Sequence, residues 1–175
     1  MRSLMLLLLF FASAIGLVAE SAAGVRWTAP AGWKSEAARP MRAATYTIAP
    51  SAGDTASAEC GVYFFGPGQG GTVEANLDRW KGQFTGADGK TSPAKIAKRT
   101  VGRLSVTTID TAGAYAGLGG PMAASQKAVP GYRLLGAIVE GPGGNVFIKF
   151  AGPAKTISAN EQKFEQLIAS FRLDG

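Results

Sequence analysis

The chain has 175 residues, with 18 lysines and arginines against 12 aspartates and glutamates, a net charge of +6, no histidine and one cysteine. Without imidazoles, and with a single thiol, it lacks the side chains from which zinc and copper centres and most hydrolase triads are assembled. The lone Cys60 cannot close a disulfide within one chain. A basic balance attracts anionic partners such as lipid headgroups, acidic polysaccharide or an acidic protein face, although no run of four basic residues occurs and the densest cluster is Lys95, Lys98 and Arg99.

The first 23 residues read as an export leader. Arg2 precedes an apolar run from Leu4 to Val18, and the small residues Ser21, Ala22 and Ala23 follow where a signal peptidase reads them. The run is 15 residues long, short of the roughly 20 needed to span a bilayer. Later apolar stretches are broken by charge, Gly or Pro. The expectation is a leader over 1–23 and one domain over 24–175, periplasmic or secreted. The absence of a cysteine directly after the run argues against a lipid anchor.

Trp27 and Trp33 flank Thr28-Ala-Pro-Ala-Gly32 and are expected to cover one end of the core rather than to stack on a ligand. From Met41 to Ile48 the chain alternates, with Ala44, Tyr46 and Ile48 on one face, as a half-buried strand does. Both faces of Cys60–Phe65 are largely apolar, which predicts an interior strand. A glycine-rich turn, Gly66 to Gly71, leads into a helix predicted over 72–84, whose stripe Val73, Leu77, Trp80 and Phe84 packs on the sheet. After a polar loop over 85–93, Lys95–Val101 and Leu104–Tyr115 read as a hairpin, and Gly117 to Gly131 as a long loop. Tyr132–Glu140 and Asn145–Ala151 form a second hairpin through Gly141-Pro-Gly-Gly144. Ser158 and Glu161 have capping-box spacing, and Phe164, Leu167, Ile168 and Phe171 follow at helical intervals. The sum is an α+β domain in which an antiparallel sheet of six to seven strands packs with two amphipathic helices.

Gly66, Gly68 and Gly71 fit the spacing of a dinucleotide fingerprint between a strand and a helix. Hairpins follow in place of a parallel crossover, and no acidic residue stands at the required distance, so the segment reads as a turn. Amides at the start of the helix retain the capacity to bind a small anion. Cys60 lacks an activating histidine and sits among core-like neighbours. Glu74 and Asp78 fall beside Lys81 on a solvated flank. Arg42, Arg79, Lys149 and Lys155 are candidates for an anion patch, although spacing alone does not bring them together. Nucleic acid is not expected as a partner, and no cofactor or metal is implied.

The segment Trp27 to Trp33, Pro40-Met-Arg42, the helix Asn76 to Phe84 and Gly152-Pro-Ala-Lys-Thr156 resemble a group of uncharacterised exported bacterial proteins. The order of strands and helices resembles the PsbP-like fold of an extrinsic photosystem subunit, a yeast Ran-binding protein and envelope proteins of the DcrB type. That resemblance implies an α/β/α sandwich with binding or assembly roles, and carries no site motif. The reading is an exported, non-catalytic binding or assembly module whose partner is an envelope or extracellular protein or an anionic ligand. Its candidate contacts are Gly66, Gly68, Gly70, Gly71, Arg42 and Arg79. The alternative is a histidine-free enzyme acting through Cys60 or a carboxylate.

Overall fold

The long hairpin of β9 (Val129–Gly141) and β10 (Gly144–Pro153) is the centre of the molecule, and strands are added on both of its sides. The computed structural model describes residues 19–51, 53–117 and 127–175. Beyond β10 lie β5 (Ala58–Tyr63), β4 (Arg42–Ile48) and the short β3 (Lys34–Ser35). Beyond β9 lies β8 (Leu104–Tyr115), whose outer edge carries β6 (Phe84–Thr85) and β7 (Ala94–Val101) end to end. Every pairing in this eight-stranded sheet is antiparallel. A smaller sheet joins β1 (Ala19–Ala22), β2 (Val25–Thr28) and β11 (Arg172–Leu173).

Alternation along the strands divides the side chains between two cores. One face presents Tyr46, Ile48, Cys60, Val62, Ile148, Phe150, Leu135, Ala137 and Val139 to α2 (Ala154–Ala159), α3 (Glu161–Ala169) and the small sheet. Trp27 and Trp33 lie in this core, Trp27 stacked on Phe171 at 5.2 Å and Trp33 against Phe150 at 4.9 Å, as their reading as core required. The other face carries Ile109, Leu134, Ile138 and Phe147 beneath Leu77 and Trp80 of α1 (Val73–Lys81). Thr72 caps α1 by accepting from the Ala75 amide at 3.2 Å.

The element order follows the sequence reading, with more strands than the predicted six to seven and three helices in place of two. Phe84 leaves the helical stripe for β6 because α1 already ends at Lys81, capped at Gly82. The terminal helix divides at Asn160. The Ser158–Glu161 capping box does not form: Arg133 donates from Nη1 to both side chains at 2.9 Å, while its Nε and Nη2 hold Asp110 at 2.9 and 2.8 Å. The loop expected over 117–131 ends sooner, since β9 begins at Val129; residues 118–126 of it lie outside the described residues.

Of the segment read as a leader, residues 1–18 lie outside the described residues, and Ala19–Ala22 pair with β2. The Glu20 carboxylate accepts from the Tyr46 hydroxyl and, at 3.2 Å, from Trp27 Nε1, which also donates to the Tyr46 oxygen at 2.9 Å. Tyr46 is fully buried, so its hydroxyl depends on that acceptor. In a chain that retains Glu20, replacing it with Ala is expected to destabilise the fold by about 1–3 kcal/mol, read as a lower denaturant midpoint at unchanged slope.

Candidate functional site

The face beneath α1 is packed on one side and open on the other. Register places Thr45, Gly61, Lys149 and Gly136 in one row across β4, β5, β10 and β9. Trp80 fills the space over Gly136, where an added Cβ would lie 2.7 Å from its ring, and the Tyr63 ring leans over Gly61 at a similar distance. Lys149 therefore rises from the sheet between two aromatic side chains. Its ammonium donates to Gln83 Oε1 at 2.7 Å and lies 5.2 Å from the centre of the Tyr115 ring.

Further charges converge from neighbouring elements. The Arg42 guanidinium, at the start of β4, covers the Tyr63 ring at 5.0 Å and donates to Glu59 at 2.6 Å. Arg39 donates to the second oxygen of Glu59 at 3.1 Å. Arg79, on α1, donates to the Asn76 side chain. Asn76 in turn ties down the glycine turn, donating at 2.8 Å to the carbonyls of Gly70 and Thr72. Glu59 is thus shared by two arginines, and among the described residues Lys149 has no carboxylate within ion-pair distance.

Burial, reinforced by the positive charges of Arg79 and Arg42 and only partly offset by Glu59, lowers the Lys149 ammonium to a pKa of about 8. Burial raises the hydroxyls of Tyr63 and Tyr115, which therefore remain protonated donors at neutral pH. The cluster presents ammonium, guanidinium and phenol donors with one shared carboxylate, an arrangement suited to holding an anion.

Of the residues singled out from the sequence, Arg42 and Arg79 converge on Lys149, whereas Lys155 stands on α2 beside Gly53 and does not join them. Gly66, Gly68, Gly70 and Gly71 all have positive φ and form the turn into α1. Gly70 packs so closely on Phe147 and Phe65 that a Cβ would lie 2.7 and 2.8 Å from their rings, while Gly68 faces open space. The turn thus has a structural task at Gly70. Glu59, Tyr63, Gln83 and Tyr115 were not found from the sequence; the available signal was the lone lysine on β10 between the apolar Phe147 and Ala151. Cys60 is fully buried in the opposite core, and burial pushes its thiol far above the usual range. Asp78 pairs with Lys81 at 3.1 Å on the exposed flank of α1. No described helix is long and apolar enough to cross a membrane.

The Lys149 environment has a consequence for stability. An unfolded lysine keeps its proton up to about 10.5, and the folded one only to about 8. Between these values the unfolded chain binds more protons, so stability rises with pH, by at most on the order of 3 kcal/mol. Above about 10 the raised tyrosines reverse the slope, since the unfolded phenols lose protons that the folded ones keep. The expected outcome is a denaturant midpoint that climbs from pH 8 towards 10 in the wild type and stays flat in Lys149→Met, which is also the more stable of the two at pH 7.

No known family of sequences matches the chain, and no curated protein resembles it in sequence. Its fold is similar to the solution structure of the cyanobacterial PsbP protein from Synechocystis, with a TM-score of 0.53 and 11% identity over 94% of this chain and 98% of that one. A Pseudomonas aeruginosa protein of unknown function superposes with a TM-score of 0.46 and 10% identity, over 88% of this chain and 94% of that one. With its antiparallel sheet between helical layers, the chain has a PsbP-like fold.

Proposed function

We propose that the protein is an exported, non-catalytic binding module that holds an anionic group on the open face beside α1. Lys149 carries this reading: it is a largely buried ammonium whose nearest partner, Gln83, is neutral. Buried charges are normally paired, and an incoming anion would supply the missing charge. Arg42 and Arg79 flank that position, and the Gly66–Gly71 turn borders it through Asn76. The expected leader over residues 1–23 supports a periplasmic or secreted location. The non-catalytic reading is supported by the buried, un-ionised Cys60 and by carboxylates engaged with arginine or lysine.

The test is titration with sulfate and inorganic phosphate at constant ionic strength, followed by the NMR shift of the Lys149 side-chain nitrogen. Both anions are expected to bind and to raise the pKa of Lys149, and binding is expected to weaken as pH rises through about 8. The groups facing the ammonium are Gln83, Tyr115, Arg79, Arg42 and Glu59. Lys149→Met should weaken binding at least about tenfold, the loss expected when a charged hydrogen bond is removed. Equal affinity in wild type and variant would refute the site. For the thiol alternative, a disulfide reagent is expected to modify Cys60 at the rate of global unfolding, whereas fast labelling of the folded protein at pH 7 would restore it as a nucleophile.

A further inference from the structure

Residues Arg39 to Arg42 form a tight turn, closed by the Arg42 amide donating to the Arg39 carbonyl at 3.2 Å. Its third residue, Met41, has φ 61°. Glycine or asparagine ordinarily supplies a positive φ there, and a long unbranched side chain is strained. The strain serves no packing purpose, since Met41 is 66% exposed. Strain held at a solvent-facing apolar tip points to a contact with something outside the chain.

A second apolar tip stands close by. Phe65, 36% exposed, stacks on Tyr63 at 6.1 Å, and Tyr63 is the register partner of Arg42. Met41, Phe65 and Ile96 are the large apolar side chains exposed among the described residues. Two of the three flank the Arg42–Tyr63 pair, at the end of the sheet where β4 begins and β5 ends. Arg39, Arg42, Arg79 and Lys149 gather in the same region, where Glu59 pairs with Arg39 and Arg42 and Glu36 lies near Arg39, leaving Arg79 and Lys149 without an ion-pair partner among the described residues and the region with an excess of positive charge. Arg39 and Glu59 retain almost half of their side-chain exposure, so the charges spread over an open face.

We propose that this face docks on the surface of an anionic phospholipid bilayer, with Met41 and Phe65 entering the interface while Arg39, Arg42, Arg79 and Lys149 meet lipid phosphates. The proposal rests on the anion-binding reading above and names its ligand. Apolar tips flanked by cations are what a bilayer surface rewards, because insertion of the tips and attraction of the headgroups act together. An acidic protein face would match the cations and leave a flexible, strained methionine without a role.

The purified exported protein, freed of the apolar run from Leu4 to Val18, is sedimented with vesicles of phosphatidylglycerol and phosphatidylcholine in equal parts, and with vesicles of phosphatidylcholine alone. Binding is expected with the first, falling with added salt, and not with the second. Met41→Gly is expected to lower the partition at least about tenfold while leaving thermal stability equal or higher, because glycine suits the backbone at this position. Phe65→Ala should act in the same direction, and Arg79→Gln should weaken partition about fivefold. If the protein ignores anionic vesicles but still binds inorganic phosphate, the bilayer proposal is overturned and the anion site stands. If it binds neither, both are overturned. Wild-type partition by both Met41→Gly and Phe65→Ala would also overturn the proposal.

Discussion

A single row of residues across the sheet, Thr45, Gly61, Lys149 and Gly136, governs both the packing of α1 and the character of the open face. Two of its members are glycines in the interior of strands, where the absence of a side chain normally weakens a sheet and marks a close approach. Trp80 occupies one gap and Tyr63 the other. With β-carbons at these positions the indole could not seat on β9, and α1 would lift away from Ile109 and Leu134. The same gaps leave Lys149 as the tall member of the row, enclosed by rings and short of a counter-charge. The seating of the helix and the chemistry of the face therefore have one cause.

The two faces of the sheet are built on different terms. The core under α2 and α3 is continuous and aromatic-rich, joined by stacking between Trp27 and Phe171 and between Phe150 and Phe164. The α1 face is covered by a helix of nine residues, about 13 Å long, too short to roof a sheet of this width. What it leaves uncovered is polar and cationic. A cavity of about 200 Å³ between β7 and α3 lies on the opposite face, lined by Lys95, Arg99, Glu161 and Glu165. There each basic group has acidic neighbours, with Arg99 held to Glu165 at 2.5 Å, so that cavity lacks the unmatched charge of the Lys149 face.

Much of the fold was legible because it rests on local periodicity. Alternation and glycine-rich connections marked both hairpins, and the 3.6-residue stripe marked α1. What escaped was set by distant partners. The two-residue strands β3 and β6 are too short to carry a period, and β1 lies within a stretch whose composition reads as a leader. Ser158 and Glu161 had the spacing of a cap, but a guanidinium on β9 offered them a stronger partner, and the helix broke there. The candidate site was legible in its components rather than in its assembly: Arg42 and Arg79 stood out as cations, while their meeting with Lys149 depends on strand register. Gly61 and Gly136, interrupting otherwise apolar strands, were the one local sign that something must approach the sheet closely.

The outer strand β7 exposes six consecutive residues, from Lys95 to Thr100. An open edge of that length is a template on which further chains can grow. Lys95, Lys98 and Arg99 oppose this, because a chain laid along the edge would have to strip water from their charged heads and disturb the Arg99–Glu165 and Lys98–Glu140 pairs. The exposed Ile96 between them would otherwise be an adhesive point. The scattered basic residues of this strand thus act as a guard against fibrous self-assembly, so that a protein crowded beside its copies remains free to engage other surfaces.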